Sequence, residues 1–402
     1  MDNREVVIVD GTRTAFGKMG GTIRPFTAVE LATKTIIGLL EKTEILKKTK
    51  VDAVFAGSAS GDLNTHNFAR YACLGAGLPY ETSATFIEMQ CGSSIACINN
   101  AALQIRAGML DVAICGGAES HSQTYYKFTA SPVPFKKIPP TAAPTRLSPV
   151  DEDDISMIEV SDLMAKKWDI KREDCDAFAV RSQTRALEAI EKGYFKDEIL
   201  PIDVKYSRKG ETITFDTDEH PRAGTTLEGM AKLNPVIKNG VTTPGNSSGL
   251  NDGAAFVLMM SADKAKELGY KPLARWVYGI DVGVDPKLMG IGPVYSSLKA
   301  FEKTGIKLSD IDVFECNEAF AAQNLSVIKQ LEESTGEKID MEKWNPNGGA
   351  IAFGHPNGAS GGRICLATMS ELKRKNGKYG LFTSCCGGGI GVTTIIENIS
   401  EQ

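Results

Sequence analysis

The chain has 402 residues, of which 42% are hydrophobic and 24% charged, a composition typical of a soluble globular protein with two or three structural units. Its net charge of −5 argues against a nucleic-acid-binding surface, and no apolar run approaches the roughly 20 residues that span a membrane. Because no targeting signal is recognisable either, we expect a cytoplasmic protein. The nine cysteines include no Cys-x-x-Cys pair, so neither structural disulfides nor a metal site is expected.

Strand and helix patterns alternate along the first third of the chain. Short apolar runs bounded by polar or glycine residues predict strands, and apolar residues spaced by three and four predict helices. These patterns lie at 6–10 (strand), 28–43 (helix), 51–58 (strand), 93–107 (helix) and 111–117 (strand). Their alternation predicts a layered α/β fold.

The last third of the chain repeats some of these patterns, which indicates an internal duplication. The matching segments are 51–58 with 311–318, 111–117 with 381–388, and 6–10 with 271–285. We interpret residues 1–120 and 271–402 as two copies of one α/β unit, the sheet of the first copy being completed by about residues 250–270. Chance similarity between short apolar strands is the alternative.

Residues 121–250, between the two copies, have a different character. A proline-rich stretch at 131–154 predicts an irregular excursion over the surface, and helical patterns follow at 162–168 and 172–193. We predict an inserted, mostly helical cap that forms one wall of a ligand cleft.

Cys91 is the first candidate for chemistry. It lies in EMQCGSS, at a sharp turn between a strand-like segment and a helix. A thiol at a helix N-terminus feels the positive end of the helix dipole and can be held as a reactive thiolate. A buried structural cysteine is the commoner fate of a single Cys, and it is the fate that we expect for Cys97 and Cys115.

His355 is the histidine best suited to chemistry. It lies in the glycine-rich segment GGAIAFGHPNGASGG, where glycine lets the backbone approach a ligand closely, and residues 360–362 are predicted to open a helix. The other histidines, His66, His121 and His220, have polar neighbours in sequence that favour surface or capping roles.

Two further segments follow predicted strands. Cys385 begins CCGGG, where three glycines form either an anion-binding nest of N–H groups or a tight turn with positive φ; the spacing of a dinucleotide-binding loop is absent. Asn317 and Glu318 follow the strand at 311–316, a common position for site residues in α/β proteins. Asn317 also suits the alternative role of a helix N-cap.

Five motifs together resemble the thiolase family. CGSS, GNSSGLNDGAA, NEAFA, GHPNGASGG and CCGGG occur in the order and spacing of thiolases, and the resemblance extends from about residue 5 to 397. It implies a duplicated five-layered α-β-α-β-α fold with an inserted loop domain. It also implies an acyltransferase that makes or breaks a carbon–carbon bond between coenzyme A thioesters.

The resemblance further implies catalytic roles. Cys91 takes up the acyl group, His355 activates that thiol, and Cys385 removes or returns the proton at the α-carbon. His355 and a water held by Asn317 form one oxyanion hole, and the backbone N–H groups of Cys91 and Gly387 form the other. Coenzyme A is a substrate in this scheme, and no metal or other cofactor is implied.

Six more residues match substrate-binding positions of the family. Ser248 matches a serine that contacts the pantetheine arm, and Arg222 matches an arginine near the adenine. Met289 and Phe320 match residues that line the acyl pocket. The remaining members of this coenzyme A and substrate set are Ala319 and Met157.

Departures from the family pattern lead to a hypothesis about the substrate. Ser156 and Ile158 stand where a histidine and a glycine are common at the start of the cap helices, and Tyr295 stands where a proline is frequent. We therefore predict an acyl group larger or more polar than acetoacetyl.

The family is homo-oligomeric, so a homodimer or homotetramer is expected. Two other interpretations compete with an independently active thiolase. One is a condensing enzyme of ketoacyl-synthase type, which shares the fold, and the other is a thiolase-like subunit that needs a second protein subunit for activity.

Overall fold

A computed structural model of the protein describes residues 4–130, 133, 138–143, 145–205 and 211–400. Its first elements are β1 (Val6–Thr14), β2 (Gly17–Lys18), α1 (Ala28–Thr43), α2 (Ile45–Lys48), β3 (Ala53–Gly57), α3 (Phe68–Gly75), β4 (Ser83–Ile87), α4 (Ser93–Arg106) and β5 (Val112–Ser120). The middle of the chain contains β6 (Phe128–Thr129), β7 (Thr141–Ala142), α5 (Met157–Trp168), α6 (Arg172–Glu191), β8 (Ile199–Leu200), β9 (Ile202–Lys205), β10 (Thr212–Phe215) and α7 (Leu227–Ala231). The remaining elements are β11 (Asn251–Ser261), α8 (Ala262–Glu267), β12 (Ala274–Gly283), α9 (Gly292–Thr304), β13 (Ile311–Cys316), α10 (Ala321–Thr335), α11 (Ala350–Phe353), α12 (Asn357–Lys375), β14 (Tyr379–Cys386) and β15 (Ile390–Asn398).

Two sheet segments of matching topology come from the two ends of the chain. The N-terminal segment has the order β1-β11-β5-β3-β4, in which the first two pairings are antiparallel and the next is parallel. The C-terminal segment has the order β12-β15-β14-β13, again with two antiparallel pairings and then a parallel one. The shared order and directions confirm the predicted duplication.

The helices arrange these sheet segments in five layers. Helices α4 and α12 pack against each other between the two segments, while α1 and α3 cover the outer face of the first and α9 covers that of the second. In β3, Val54 and Ala56 belong to the outer core with α1, whereas Ala53 and Phe55 belong to the central core with α4 and α12. Alternate side chains of one strand thus fill both cores, which is why these strands are apolar throughout.

The two sheet segments join where β1 pairs with β12, antiparallel, from Val6 opposite Trp276 to Ile8 opposite Ala274. The central strand of the N-terminal segment, β11, lies between β1 and β5 although the whole middle region separates it from both in sequence. The sheet of the first copy is therefore completed by residues 251–261. The exact boundaries of the three predicted units stay predictions.

Local signals in the sequence explain where the helices begin. Thr27 and Glu30 form a capping box at the start of α1, and α1 has the bounds expected from its apolar spacing. Ser156 and Glu159 form a second capping box at the start of α5. Ser156, which departs from the family pattern, thus stabilises the N-terminus of the first cap helix.

The middle region packs on the core through a buried ion cluster. Arg13 of β1 donates to Glu198 at 2.8 Å and to Asp218 at 2.7 Å, and all three side chains are buried. In the predicted proline-rich stretch, residues 131, 132, 134–137 and 144 lie outside the described residues. No helix of the described ranges has both the length and the apolar character needed to cross a membrane.

Candidate active site

Cys91 lies in a constrained turn before α4. The preceding Gln90 has a φ of +47°, in the left-handed region that non-glycine residues rarely adopt. The Ser93 hydroxyl donates to the Gln90 carbonyl at 2.7 Å and accepts from the backbone N–H of Met89 at 2.9 Å, which closes the turn. A 3-10 turn over residues 90–92 then leads into α4, so the predicted sharp turn is confirmed.

Burial keeps the Cys91 thiol protonated in the resting protein. Cys91 is only 8% exposed, and burial raises its pKa to about 12. The main opposing influence is a hydrogen bond from the side-chain amide of Asn357, whose Nδ2 lies 3.3 Å from Cys91 Sγ. The carboxylates of Glu119 and Glu88 raise this pKa further. A thiol in this environment needs a base before it can act as a nucleophile.

His355 is held by the segment that precedes and begins β11. Its backbone N–H donates to the Gly249 carbonyl at 3.1 Å and lies 3.2 Å from Asn251 Oδ1. The preceding Gly354 has a φ of +88°, and a Cβ at that position would lie 2.1 Å from the Asn251 side chain. Glycine is therefore required immediately before His355, on both conformational and steric grounds.

The hydrogen bonds of His355 indicate where its proton lies. Nε2 is 3.3 Å from Nδ2 of Asn317, which is a donor, so Nε2 carries the lone pair. The proton is then on Nδ1, which donates to Ser360 Oγ at 2.6 Å, and that hydroxyl donates to the Pro356 carbonyl at 3.1 Å. Burial lowers the pKa of His355 to about 3, so the imidazole is neutral and able to accept a proton.

Asn317 lies just beyond the end of β13, where its backbone N–H donates to the Thr383 carbonyl at 3.0 Å. Helix α10 begins at Ala321 with Phe320 as its N-cap, so the alternative prediction that Asn317 caps this helix is wrong. Asn317 Oδ1 is buried and has no hydrogen-bond partner among the described residues. A buried acceptor of this kind is a binding position for a water molecule.

A glycine turn connects β14 to β15 beside the Cys91 turn. Gly388 and Gly389 have φ values of +87° and +92°, so the tight-turn interpretation of the glycine triplet is confirmed for these two positions. A Cβ on Gly387 would lie 3.3 Å from the Gln90 side chain, and a Cβ on Gly92 would lie 2.5 Å from Cys386 Sγ. Gly387 is therefore packed against the residues that flank Cys91.

Cys385 is fully buried at the end of β14. Burial raises its pKa well above the ordinary value, and the nearby Cys91 raises it further because two thiolates repel each other. The site thus combines two protonated thiols with a neutral imidazole, a set that can carry an acyl group on sulfur and move protons. Cys97 and Cys115 lie in the central core, as predicted.

The segment around Ser248 is joined to the residues that follow β13. The Ser248 N–H donates to the Ala319 carbonyl at 3.0 Å, and Ser247 forms an isolated β-bridge with Phe320. Two motifs that are distant in sequence, GNSSG and NEAFA, therefore share one edge of the site.

Four of the substrate-binding candidates share the apolar cluster that contains Cys385. Met289 and Ala319 are buried members of this cluster, and Phe320 and Met157 pack against it from partly exposed positions. The cluster brings the start of α5, in the middle region, next to residues of the C-terminal copy. Tyr295 does not belong to this cluster; it is 53% exposed on α9.

Arg222 lies farther out, exposed, with its backbone N–H donating to Gln183 Oε1 at 2.8 Å. Two residues earlier, His220 has its Nδ1 3.4 Å from Nδ2 of Asn251, whose Oδ1 accepts from the His355 N–H. Burial, with Arg222 and Lys18 nearby, lowers the pKa of His220 to about 4. The expected surface or capping role is wrong for His220, because contacts far apart in sequence bury it; His66 is exposed as expected.

The end of β5 contributes two residues that sequence reasoning missed. The buried carboxylate of Glu119 accepts hydrogen bonds from the loop after β3 and from the Gly358 N–H at 3.0 Å, in the first turn of α12. His121, which is half-buried, has its Nε2 2.9 Å from Oδ1 of Asn357, the first residue of α12. The rule applied to Asn317, that polar residues at the end of a strand mark a site, would have found both.

Comparisons with known proteins agree with this geometry. Family models described as the N-terminal and the C-terminal domain of thiolase match residues 6–263 and 270–398. An acetyl-CoA acetyltransferase of Pseudomonas aeruginosa is 43% identical over 393 residues, covering 97% of this chain and 98% of the relative. A beta-ketoadipyl-CoA thiolase of Acinetobacter baylyi is 40% identical over 410 residues, covering 98% of this chain and 100% of the relative.

A solved structure extends the likeness to three dimensions. The crystal structure of human mitochondrial 3-ketoacyl-CoA thiolase in complex with CoA superposes with a TM-score of 0.89 at 39% identity, covering 98% of each chain. The family models span nearly the whole sequence, and the relatives match over their full length. The chain therefore belongs to the thiolase family and is an acyltransferase of the thiolase type.

Proposed function

We propose that this thiolase works through an acyl-enzyme on Cys91. The observation that carries the proposal is the neutral imidazole of His355, which has a free-base Nε2 and lies two residues before the Cys91 partner Asn357. In the first half-reaction the Cys91 proton passes to His355 Nε2, and the sulfur attacks the thioester carbonyl carbon. Coenzyme A leaves as a thiolate and takes that proton from the imidazolium, so Cys91 retains the acyl group as a thioester.

The second half-reaction assigns a role to Cys385. Cys385 first gives its thiol proton to the neutral imidazole of His355, and as a thiolate it removes a proton from the α-carbon of acetyl-CoA; the carbanion then attacks the acyl carbonyl of the Cys91 thioester. The new carbon–carbon bond forms as the carbon–sulfur bond breaks, and Cys91 leaves as a thiolate that takes the proton from Cys385, which in turn recovers its own proton from the His355 imidazolium. Thiolysis of a 3-oxoacyl-CoA is the same sequence in reverse. The mutual closeness of the two thiols supports this exchange of a proton.

Two oxyanion holes complete the proposal. The buried, unpartnered Oδ1 of Asn317 beside His355 supports a bound water, which stabilises one oxyanion together with the Nε2–H that His355 carries once it has accepted a proton. The packing of Gly387 against the Cys91 turn supports the second, built from the backbone N–H groups of these two residues.

Coenzyme A is the proposed carrier of the acyl groups, and no metal or redox cofactor is required because the chain supplies every proton acceptor and donor in the scheme. Ser248 is proposed to contact the pantetheine arm and Arg222 the adenine end. The likeness to a thiolase solved in complex with CoA supports this assignment, as does the closeness of Arg222 to His220, which contacts Asn251 beside His355. Activity that survives dialysis against a chelator would test the absence of a metal.

We propose that the acyl group is larger or more polar than acetoacetyl. At the start of α5, Ser156 is occupied in capping the helix, and the neighbouring Met157 packs against the cluster of Met289 and Cys385. A relative at 40% identity is named a beta-ketoadipyl-CoA thiolase, so a polar acyl chain lies within the range of substrates of similar proteins. A thiolysis panel of 3-oxoacyl-CoAs would test this, and a clear preference for acetoacetyl-CoA would refute it.

The acyl-enzyme is tested by incubating the purified chain with acetyl-CoA and longer acyl-CoAs and then measuring intact mass with peptide mapping. We expect one acyl adduct, on the Cys91 peptide. The Cys91→Ala variant should show none and should lose turnover, and His355→Ala should acylate slowly. If no acyl-CoA labels Cys91 although the enzyme turns over, the acyl-enzyme proposal is wrong.

The Cys385→Ala variant separates the two half-reactions. It should still form the Cys91 adduct, because the first half-reaction does not use Cys385, but it should not form the carbon–carbon bond. Cys386→Ala is the matched control, since Cys386 is equally buried and takes no part in the proposed chemistry. Full condensation activity of Cys385→Ala would contradict the two-cysteine mechanism.

We further propose a homodimer or homotetramer in the cytoplasm. The edge strand β4 lies at the end of the sheet and leads directly into the Cys91 turn, so pairing with a second copy would cover its free edge. All nine cysteines are free thiols, which suits a reducing compartment. Light scattering after gel filtration measures the oligomeric state, and turnover by the purified chain alone would exclude a required second subunit.

A further inference from the structure

We propose that Asn357 is a further catalytic residue, which donates a hydrogen bond from Nδ2 to Cys91 Sγ, and that His121 is a positioning residue that holds the Asn357 amide in this orientation. The two contacts form a chain: His121 Nε2 is 2.9 Å from Asn357 Oδ1, and Asn357 Nδ2 is 3.3 Å from Cys91 Sγ. The proposal rests on the role of Cys91 as the nucleophile.

The orientation of the amide decides its effect on sulfur. With a proton on Nε2, His121 donates to Oδ1, which leaves the N–H groups of Asn357 facing Cys91. The reversed amide would present an oxygen to the sulfur and would repel a thiolate. A donor at position 121 therefore selects the amide orientation that stabilises negative charge on Cys91.

The backbone around His121 is anchored on both sides. Ser120 Oγ lies 3.4 Å from Asp252 Oδ1, and Ser122 donates to the same carboxylate from its backbone N–H, at 2.9 Å, and from its hydroxyl. Glu119 reaches across to the Gly358 N–H at 3.0 Å. The end of β5 and the first turn of α12 are thus tied together next to the His121–Asn357 contact.

The hydrogen bond matters most when the sulfur is charged. A donor binds a thiolate more strongly than a thiol, so this contact favours the states in which Cys91 carries negative charge. Those states occur when Cys91 attacks the thioester and again when it leaves after the carbon–carbon bond forms. Ionisation of Cys91 is opposed by its burial and by the nearby carboxylates of Glu119 and Glu88. Asn357 is the principal side chain that favours ionisation.

The test compares variants of similar shape in the full-length enzyme. Asn357→Leu removes the donor, His121→Leu removes the group that orients it, and His121→Gln keeps an N–H at about the same reach. Two readouts are taken: the rate of iodoacetamide alkylation of Cys91, followed by peptide mass spectrometry across a series of pH values, and kcat and KM for thiolysis.

We expect Asn357→Leu to slow Cys91 alkylation at a fixed pH by about tenfold or more, since a hydrogen bond to a charged group has at least that effect on an ionisation equilibrium. The value of kcat should fall by a similar factor with little change in KM. His121→Leu should give a smaller loss in the same direction, and His121→Gln should restore most of it. In the double variant, His121→Leu should add nothing to Asn357→Leu, because it acts only through the amide.

His66→Leu, at an exposed histidine, is the matched control, and thermal melts report whether each variant is folded. Unchanged alkylation of Cys91 in folded Asn357→Leu would overturn the proposal, and so would a His121→Leu effect that persists in the double variant. If Asn357→Leu does not fold, the comparison of His121→Leu with His121→Gln decides. Equal rates of Cys91 alkylation in these two variants would refute the positioning role of His121. Full turnover by Cys91→Ala would instead refute the nucleophile, a separate result that the alkylation readout does not depend on.

Discussion

Glu119 offers a sharp test of how the site is held, because replacing it with Gln changes one atom. Its Oε1 accepts from the Ser58 hydroxyl at 3.0 Å and the Ser60 N–H at 3.1 Å, and its Oε2 accepts from the Ala59 N–H at 2.7 Å and the Gly358 N–H at 3.0 Å. In Glu119→Gln an NH2 group must replace one of these oxygens. Either choice places a donor against donors.

The less costly arrangement can be identified from the partners. At Oε2 the NH2 group would face two backbone N–H groups that cannot change, whereas at Oε1 the Ser58 hydroxyl can rotate and accept. The second arrangement leaves only the Ser60 N–H without its acceptor and weakens three charge-assisted bonds to neutral ones. Ser60 is half-buried, so water compensates part of the loss. We expect a stability loss of about 2–3 kcal/mol.

The same substitution should have the opposite effect on reactivity. The Glu119 carboxylate raises the pKa of Cys91, so its neutral replacement should lower that pKa and speed alkylation of the thiol. Differential scanning calorimetry should show a Tm lower by about 2–4 °C for a chain of this length. The exposed Glu81→Gln serves as control. An unchanged Tm, or slower alkylation of Cys91, would refute this account of Glu119.

Three further predictions test other parts of the structure. Gly354→Ala should lower kcat by tenfold or more, on the order of 1.4 kcal/mol, because a Cβ there would lie 2.1 Å from Asn251 and displace His355. Steady-state thiolysis measures this change. Gly77→Ala is the control for backbone strain, since Gly77 has a φ of +79° but open space around it. The pKa of His220 is lowered to about 4, so its contribution to stability is complete above about pH 6.5 and is lost as the pH falls towards 4. Urea unfolding of His220→Gln should show a loss of stability between about pH 6.5 and 5 that is smaller by about 2 kcal/mol than the loss in the parent protein. Equal slopes of unfolding free energy against pH for the two proteins would contradict this. Arg13→Met should cost about 3–5 kcal/mol in the same assay because it leaves Glu198 and Asp218 buried without their cation, and a loss under about 1 kcal/mol would show that the cluster is not a stabilising contact.

Local signals in the sequence predicted the regular elements well. The bounds of α1 were predicted correctly because its capping box marks the same start as its apolar spacing, and both signals come from residues close together in sequence. The role of Asn317 as a cap was wrong because the chain bends at Ala319 and the helix begins only after Phe320, which pairs with Ser247. That pairing joins segments far apart in sequence and leaves no local trace.

The absence of a local signal for contacts between distant segments also explains which site residues the sequence analysis missed. His121 and Asn357 are 236 positions apart, and the Asn357 contact with Cys91 spans 266 positions, so only the packing of α12 against β5 and against the Cys91 turn brings them together. His220 has polar neighbours in sequence, yet Gly249 and Asn251 bury it. The catalytic set itself was named from motifs, each of which lies in a short segment, and its roles stay predictions.

The position of β11 between β1 and β5 has a consequence for synthesis of the chain. A ribosome that adds about 5–20 residues per second needs roughly 7–26 s to pass from residue 121 to residue 250, and during that time β1 and β5 have no strand to separate and pair them. Both strands are buried almost throughout in the finished protein, so during this interval the nascent chain exposes two apolar strands whose edges are unpaired. Aggregation during translation is therefore governed by how quickly the middle region is made, and slower elongation within it lengthens the period at risk.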